Sequence, residues 1–400
     1  MEKVFFDDKF SDNKDCSLLP PHFYVGKDAN SKFFDRDHRR WQSAPCVAKT
    51  KGGRLFCTFS GDNSDTGDES PNNYNTLMIS DDNGETWKEN ILIIDHESSV
   101  RIHGPIVFSA PNGEIWLFWA QSYIYWDSRG GVWVIKCSNP DDEIDKLKWT
   151  EPERICHGVL ANTPCVTSKG EILLPVSIWK NITRHGFNNL PDLEFSCVYA
   201  SSDNGKTFTL RGKADDPDTT FDENAIVETN DGKLLMIMRE KNAIGISESD
   251  DYGCNWTTPK KLMDHTSSRS FFSRFSTGEI LLVTNDPIGI KEGMTPEEGR
   301  VKMTAFLSTD NGKTFPYKLL LKEEGMVSYP AGIVTKDDRV YVTFDRNRYT
   351  DGEIYMSTFC KEDILAGKIV TENSYTARLL LKADKLHGKH KVFEDGTTYN

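Results

Sequence analysis

Short apolar runs alternate along this chain with glycine-rich turns, and the alternation is periodic. Six times a turn pair leads directly into an apolar run. The copies read Gly52-Gly53-Arg54-Leu55-Phe56, Asn112-Gly113-Glu114-Ile115-Trp116 and Lys169-Gly170-Glu171-Ile172-Leu173 in the first half. They continue as Asp231-Gly232-Lys233-Leu234-Leu235, Thr277-Gly278-Glu279-Ile280-Leu281 and Asp337-Asp338-Arg339-Val340-Tyr341. The second turn residues of successive copies lie 60, 57, 62, 46 and 60 residues apart. Asn-Gly and Asp-Gly pairs supply the positive φ that tight hairpins require, so each copy predicts a β-hairpin. Recurrence at a fixed spacing marks a repeat architecture.

A second pattern follows most of these hairpins: Ser-x-Asp-x-Gly-x-Thr and then Trp or Phe. It occurs at Ser80, Asp82, Gly84, Thr86 and Trp87, at Ser201 to Phe208 and at Ser308 to Phe315, with a looser copy at Ser249, Asp251, Gly253 and Trp256. Such an Asp box is a turn. The carboxylate accepts backbone N–H groups, the glycine takes the left-handed conformation, and the aromatic ring pins the loop to its strand. One hairpin plus one box every ~60 residues makes a four-stranded antiparallel blade. The reading is therefore all-β, a six-bladed β-propeller with Asp-box repeats over 44–360. Segment 1–43 is an N-terminal extension packing on or closing the ring. Segment 361–400 holds a short helix at Lys361–Leu365, the apolar run Ala377–Leu381 as another closing strand, and a polar tail from His387.

The net charge of −13 and pI of about 5.3 leave no basic face for nucleic acid, which is not expected as a partner. No apolar stretch reaches the roughly 18–20 residues of a membrane span. The start, Met1 to Asp7, carries no apolar signal segment, so the sequence as it stands reads as cytoplasmic, and as secreted or periplasmic if a leader was removed. Nine cysteines without a Cys-x-x-Cys pair read as free thiols. His387 and His390 lie in the tail without partners, so neither a metal nor another cofactor is expected. The oligomeric state is open.

A propeller presents its inner strands to a central channel, and charged residues at their ends are the candidates for chemistry. Arg239 closes the run Leu234–Met238, Arg300 opens the strand leading to Ser308, and Arg40 precedes the first blade. Planar guanidinium groups suit a carboxylate, the alternative being interblade salt bridges. Glu223 and Tyr329 each precede an inner strand; as a pair they make a base-activated phenol, or else a packing hydrogen bond. The polar loop Gly61–Pro71 offers Asp68 or Glu69 as a general acid, or is simply a solvated acidic loop. The aromatic stretch Trp116–Trp119 with Trp133 reads mostly as blade core, part of it a sugar-stacking face near Asp127 and Arg129.

These boxes and candidates resemble the sialidase superfamily of Asp-box propellers, across most of the chain. The resemblance implies an exo-glycosidase that removes a terminal sialic acid or related acidic sugar from a glycan, retaining configuration through a Tyr–Glu pair and a loop acid. Carried over, Arg239 and Arg300 match the second and third arginines of the family's carboxylate clamp. Tyr329 matches the nucleophile, Glu223 its partner, and Asp68–Glu69 the acid. The first arginine belongs two residues before the proline that opens blade one, and here that position is Ser43, before Pro45. Pro330 after Tyr329 is a second departure. A different glycosidase or a uronate lyase on the same scaffold, or a non-catalytic glycan-binding propeller, are the competing readings.

Overall fold

The computed structural model describes residues 14–383 except 27, 30–31, 65–68, 97–99, 125–126, 180–189, 191–192, 287–294 and 296–297. Six antiparallel sheets follow one another along the chain as the blades of one ring. The inner strands are Trp41–Lys49, Val100–Ser109, Thr219–Glu228, Phe271–Arg274 and Val327–Val334 in blades one, two, four, five and six. In blade three the inner position is split between Val159–Leu160 and Cys165–Val166. Each hairpin turn anticipated from the glycine pairs joins the two innermost strands of its blade, as in the pairing of Trp41–Lys49 with Leu55–Asp62.

The closing strands differ from the expectation. Tyr375–Leu381 is the outermost strand of blade six itself, paired with Glu353–Cys360, so that blade extends past residue 360. The short helix Lys361–Ala366 links those two strands. His22–Val25 adds a fifth, outermost strand to blade one against Lys88–Asp95. Among the described residues no blade borrows a strand from its neighbour; the ring closes by packing the inner strand of blade one against blade six. The polar tail lies outside the described residues.

The Asp boxes are built as their residue types dictate. In the first, Ser80 Oγ donates to Asp82 Oδ1 at 2.7 Å and accepts from Gly84 N at 2.9 Å, while Thr86 N and Oγ1 both donate to the Asp82 carboxylate. The Thr86 hydroxyl and N–H hold the Asp82 carboxyl down at about 2. The boxes also join blades. A side chain on Gly205 would run into the ring of Trp116 in blade two, and Lys136 of blade two caps the same contact by donating to Gly205 O at 2.7 Å. The tryptophans of blade two are core: Trp116, Trp119 and Trp133 are buried, the last two stacked with centroids 6.5 Å apart. No helix among the described residues is long and apolar enough to cross a membrane.

Gly205 combines a positive φ of 75° with a rigid neighbour, whereas Gly170 has φ of 80° and open space around it. Gly205→Ala should lower the unfolding free energy by about 1–3 kcal/mol and Gly170→Ala by about 1 kcal/mol or less. Urea denaturation of both variants checks this, and equal costs would refute the interblade wedge.

Candidate functional site

At one mouth of the channel the inner strands of four blades lose register at the same depth. The breaks fall between Ser43 and Cys46, His103 and Ile106, Thr219 and Asn224, and Ser328 and Ala331. Each break holds a residue with positive φ: Ala44 at 54°, Gly104 at 57°, Phe221 at 62° and Tyr329 at 54°. In three of the four the next residue is proline, Pro45, Pro105 or Pro330. Proline has no N–H for the ladder and is tolerated in a sheet at bulges. A β-bulge re-aims the side chain it carries, and a non-glycine residue in this conformation costs roughly 1–3 kcal/mol. All four positive-φ residues line a single pocket.

Among the described residues five arginines line that pocket, Arg101, Arg239, Arg269, Arg300 and Arg348, against two carboxylates, Glu69 and Glu223. Arg239 Nη1 donates to Glu223 Oε2 at 2.9 Å and to Tyr329 Oη at 3.2 Å, and its Nε donates to Ser267 Oγ at 2.9 Å. The phenol and the carboxylate thus share one guanidinium nitrogen. Arg300 donates through Nε and Nη2 to the carbonyl of Ser267, at 3.2 and 2.7 Å. The Tyr329 ring is flanked by the guanidinium carbons of Arg348, Arg269 and Arg300, at 4.1, 4.9 and 5.7 Å from its centroid. Cations over a ring face are attracted by its quadrupole, and the stacks fix the ring.

Glu69 bridges two arginines, accepting from Arg101 Nη2 at 2.9 Å and Arg348 Nη1 at 3.4 Å. Burial raises its carboxyl, but the charges of Arg101 and Arg348 outweigh burial and hold it below the usual glutamate range. Burial, and then the charge of Arg101, push His103 well below its ordinary value, so the ring stacked on Trp179 is neutral at pH 7. Behind the pocket, burial with Arg300 and Arg239 takes His265 down to about 3. No cluster of His, Cys, Asp and Glu among the described residues suits a metal ion. A larger cavity, about 700 Å³, opens at the opposite mouth, where the hairpin turns and Lys49, Lys51 and Lys336 line it. Its described lining holds the carboxylates Glu114 and Asp337 but no phenol and no arginine.

A family model for the BNR repeat-like domain matches residues 53–342. The chain belongs to this family. The BNR-repeat propeller is also 32% identical over 142 residues to a sialidase of Paraclostridium sordellii; the match covers 34% of this chain and 32% of that protein, about a third of its length. Among solved structures, a Hadza microbial sialidase, Hz136, is similar with a TM-score of 0.63 at 17% identity, over 82% of this chain and 67% of that one. The intramolecular trans-sialidase of Ruminococcus gnavus, solved with oseltamivir carboxylate, is similar with a TM-score of 0.59 at 12% identity, over 85% of this chain and 98% of that one. At these identities the structural likeness speaks for the fold. With the family match it makes the chain a sialidase-superfamily BNR-repeat propeller.

Of the residues singled out from the sequence, the propeller brings Glu223, Tyr329, Arg239, Arg300 and Glu69 together in the pocket. Asp68 lies outside the described residues. Arg40 does not line the pocket; its N–H donates to Asp62 O at 2.8 Å. Its neighbour Arg39 is buried in blade one on Tyr74, Gln42 and the carbonyl of Phe34. Asp127 and Arg129 do not line it either, and the structure uses them otherwise. Asp127 accepts from Ser17 Oγ at 2.9 Å and from Arg129 Nε at 3.2 Å, and Arg129 Nη1 reaches Asp15 at 3.2 Å. They tie the N-terminal segment to blade two.

Sequence reasoning missed Arg101, His103, Arg269 and Arg348. The signal for the first two was present as Arg101-Ile102-His103-Gly104-Pro105, an inner strand interrupted by proline like Ser43-Ala44-Pro45 and Ser328-Tyr329-Pro330. Arg348 follows Asp345 by three residues beyond a strand end, where no periodicity points to it.

Glu69→Gln leaves Arg101 and Arg348 short of one countercharge. Glu69 is partly exposed, so the discounted cost at pH 7 is about 1–3 kcal/mol. The depressed carboxyl stabilises the fold above about pH 4.3, the ordinary glutamate value, and loses that contribution as pH falls through its folded-state value. The gap between wild type and variant should therefore narrow on acidification. A gap constant from pH 7 to 3 in urea titrations would refute the ion-pair bridge.

Proposed function

We propose that this propeller is a retaining exo-glycosidase of the sialidase type, hydrolysing a terminal sialic acid or a related acidic sugar from glycoconjugates. The observation that carries the reading is the sharing of Arg239 Nη1 by Glu223 Oε2 and Tyr329 Oη in a pocket ringed by arginines. The family match, the sialidase of Paraclostridium sordellii and the sialidase structures support the same direction.

In this mechanism Tyr329 Oη attacks the anomeric carbon and passes its proton to Glu223. A neutral phenol suits a carbon that itself bears a carboxylate, since an anionic nucleophile would be repelled. Arg239, already bonded to both partners, holds them in register and stabilises negative charge on the phenol oxygen as it develops. The leaving oxygen needs a proton from a carboxylic acid. Glu69 is kept ionised by Arg101 and Arg348, so of the two acid candidates singled out in that loop, Asp68 and Glu69, the role is assigned to Asp68. Water then attacks the glycosyl–tyrosine intermediate with the same groups reversed, giving net retention.

The test is release of 4-methylumbelliferone from its α-sialoside, with the anomer formed first read by proton NMR. Tyr329→Phe should lower kcat by about a thousandfold or more while a non-hydrolysable carboxylate analogue still binds. Full turnover by Tyr329→Phe, or first appearance of the inverted anomer, would exclude the tyrosine nucleophile. If the sialoside is untouched and uronate polymers yield an ultraviolet-absorbing unsaturated product, the site is a lyase.

A further inference from the structure

The chain passes from blade four to blade five through residues 265–270, His-Thr-Ser-Ser-Arg-Ser, between the strands Lys260–Asp264 and Phe271–Arg274. All six are buried, none more than 7% exposed. Connections normally run over the surface, because a buried one must find partners for its polar groups. This one is tied at both ends. His265 N donates to Asn242 O at 3.0 Å, and Thr284 Oγ1 lies 2.6 Å from His265 Nε2 and 2.7 Å from Ser270 Oγ. An anchored segment of this kind is a platform for side chains that reach it from neighbouring strands.

Ser267, in its middle, holds two arginines by two different groups. Its hydroxyl accepts from Arg239 Nε at 2.9 Å. Its carbonyl accepts from Arg300 Nε at 3.2 Å and Nη2 at 2.7 Å. Replacing the side chain at 267 removes the first contact and leaves the second in place.

The far side of Arg239 gives the hydroxyl its importance. Nη1 is shared by Glu223 Oε2 and Tyr329 Oη, and Cζ lies 4.9 Å from the centroid of the Phe221 ring. Such a stack fixes the plane of a guanidinium and leaves it free to turn within that plane. A bond at Nε, on the opposite edge from Nη1, stops the turn. Misplacing a positioning group by about 1 Å can cost on the order of a hundredfold in rate.

We propose that Ser267 is a positioning residue: its hydroxyl sets the orientation of Arg239, and through it the Glu223–Tyr329 pair, while its carbonyl holds Arg300 independently. This rests on the reading of Glu223 and Tyr329 as the reacting pair.

The experiment uses the whole 400-residue chain labelled with 15N at arginine Nε and 13C at tyrosine Cζ, as wild type, Ser267→Ala and Ser267→Thr. Arg239→Lys, Arg300→Lys and Tyr329→Phe assign the three signals. In the wild type both arginine Nε–H protons should exchange with water more slowly than in free arginine. Ser267→Ala should speed exchange at Arg239 by about tenfold or more, the scale of a lost hydrogen bond to a charged group, and change Arg300 by less than about threefold. It should also move the Tyr329 signal. Ser267→Thr, which keeps the hydroxyl, should return both signals toward wild type. With the 4-methylumbelliferyl α-sialoside, Ser267→Ala should lower kcat by about 10–100-fold with KM within about threefold, and Ser267→Thr should recover most of that loss. Ser267→Gly, which also lacks the hydroxyl, replaces the alanine variant if that one does not fold.

Three results overturn the proposal. One is a wild-type Arg239 Nε–H that exchanges as fast as in free arginine. Another is an alanine variant that releases Arg239 and Arg300 alike or leaves the Tyr329 signal in place, and the third is a threonine variant of wild-type melting temperature that behaves like alanine. If the wild type does not turn over the sialoside, the sialidase reading fails, and the exchange and Tyr329 signals of the unliganded protein decide the role of Ser267 by themselves.

Discussion

One buried carboxylate, Asp345, holds the ring together where the site is built. It accepts from Ser43 Oγ at 2.6 Å and Ala44 N at 2.9 Å in blade one, and from Ser328 Oγ at 2.7 Å and Arg348 Nη2 at 3.0 and 3.1 Å in blade six. No strand is shared between the described parts of these blades, so their junction depends on packing and on such bonds. The same carboxylate bonds beside two of the four bulges that line the pocket, those at Ala44 and at Tyr329. A fully buried anion is tolerable only when its lone pairs are filled and a countercharge is near, and Asp345 has both. Ring closure and the orientation of Tyr329 are therefore one problem with one solution.

The second constraint is charge. The chain carries −13 overall, yet among the described residues five guanidinium groups converge on a pocket with two carboxylates. Low-dielectric walls strengthen that local field, and it outweighs the distant, solvent-screened surface acids. Its effect is visible in the neutral histidines His103 and His265 and in the ionised Glu69. Such a local field is opposite in sign to that of the rest of the surface. It also sets the two carboxylates apart: Glu69 is held ionised between two arginines, whereas Glu223 shares one guanidinium nitrogen with a phenol.

The architecture was legible because it is written locally. A positive-φ glycine, a Ser-x-Asp-x-Gly box and an apolar run each act within a few residues, so six hairpins could be placed by position. Glu223, Tyr329, Arg239 and Arg300 were legible for a related reason: each lies at a break in an inner strand or near the end of a strand, and its neighbours in sequence fix its place in a blade. Arg269 and Arg348 were not, because their roles depend on groups far away in sequence, Tyr329 and Ser43 among them. Arg40 misled because nearness to position 43 along the chain is not nearness in a blade; the inner strand begins between them and carries the two apart. Asp127 and Arg129 misled because an aromatic-rich strand reads alike whether its rings meet a sugar or one another, and here Trp119 and Trp133 meet one another.

The serine at 43 follows from this geometry. An arginine there would need a countercharge, and the carboxylate within reach is Asp345, already saturated by Ser328 and Arg348. A second guanidinium at the same place would add a like charge close to Arg348, whose own partners are Asp345 and Glu69. The hydroxyl of Ser43 instead completes the coordination of Asp345 without adding charge. The serine at position 43 and the presence of Arg348 in blade six are thus two sides of one electrostatic arrangement. Arg348, paired with its own carboxylate, is a structural member that stacks on Tyr329 and holds the ring in place.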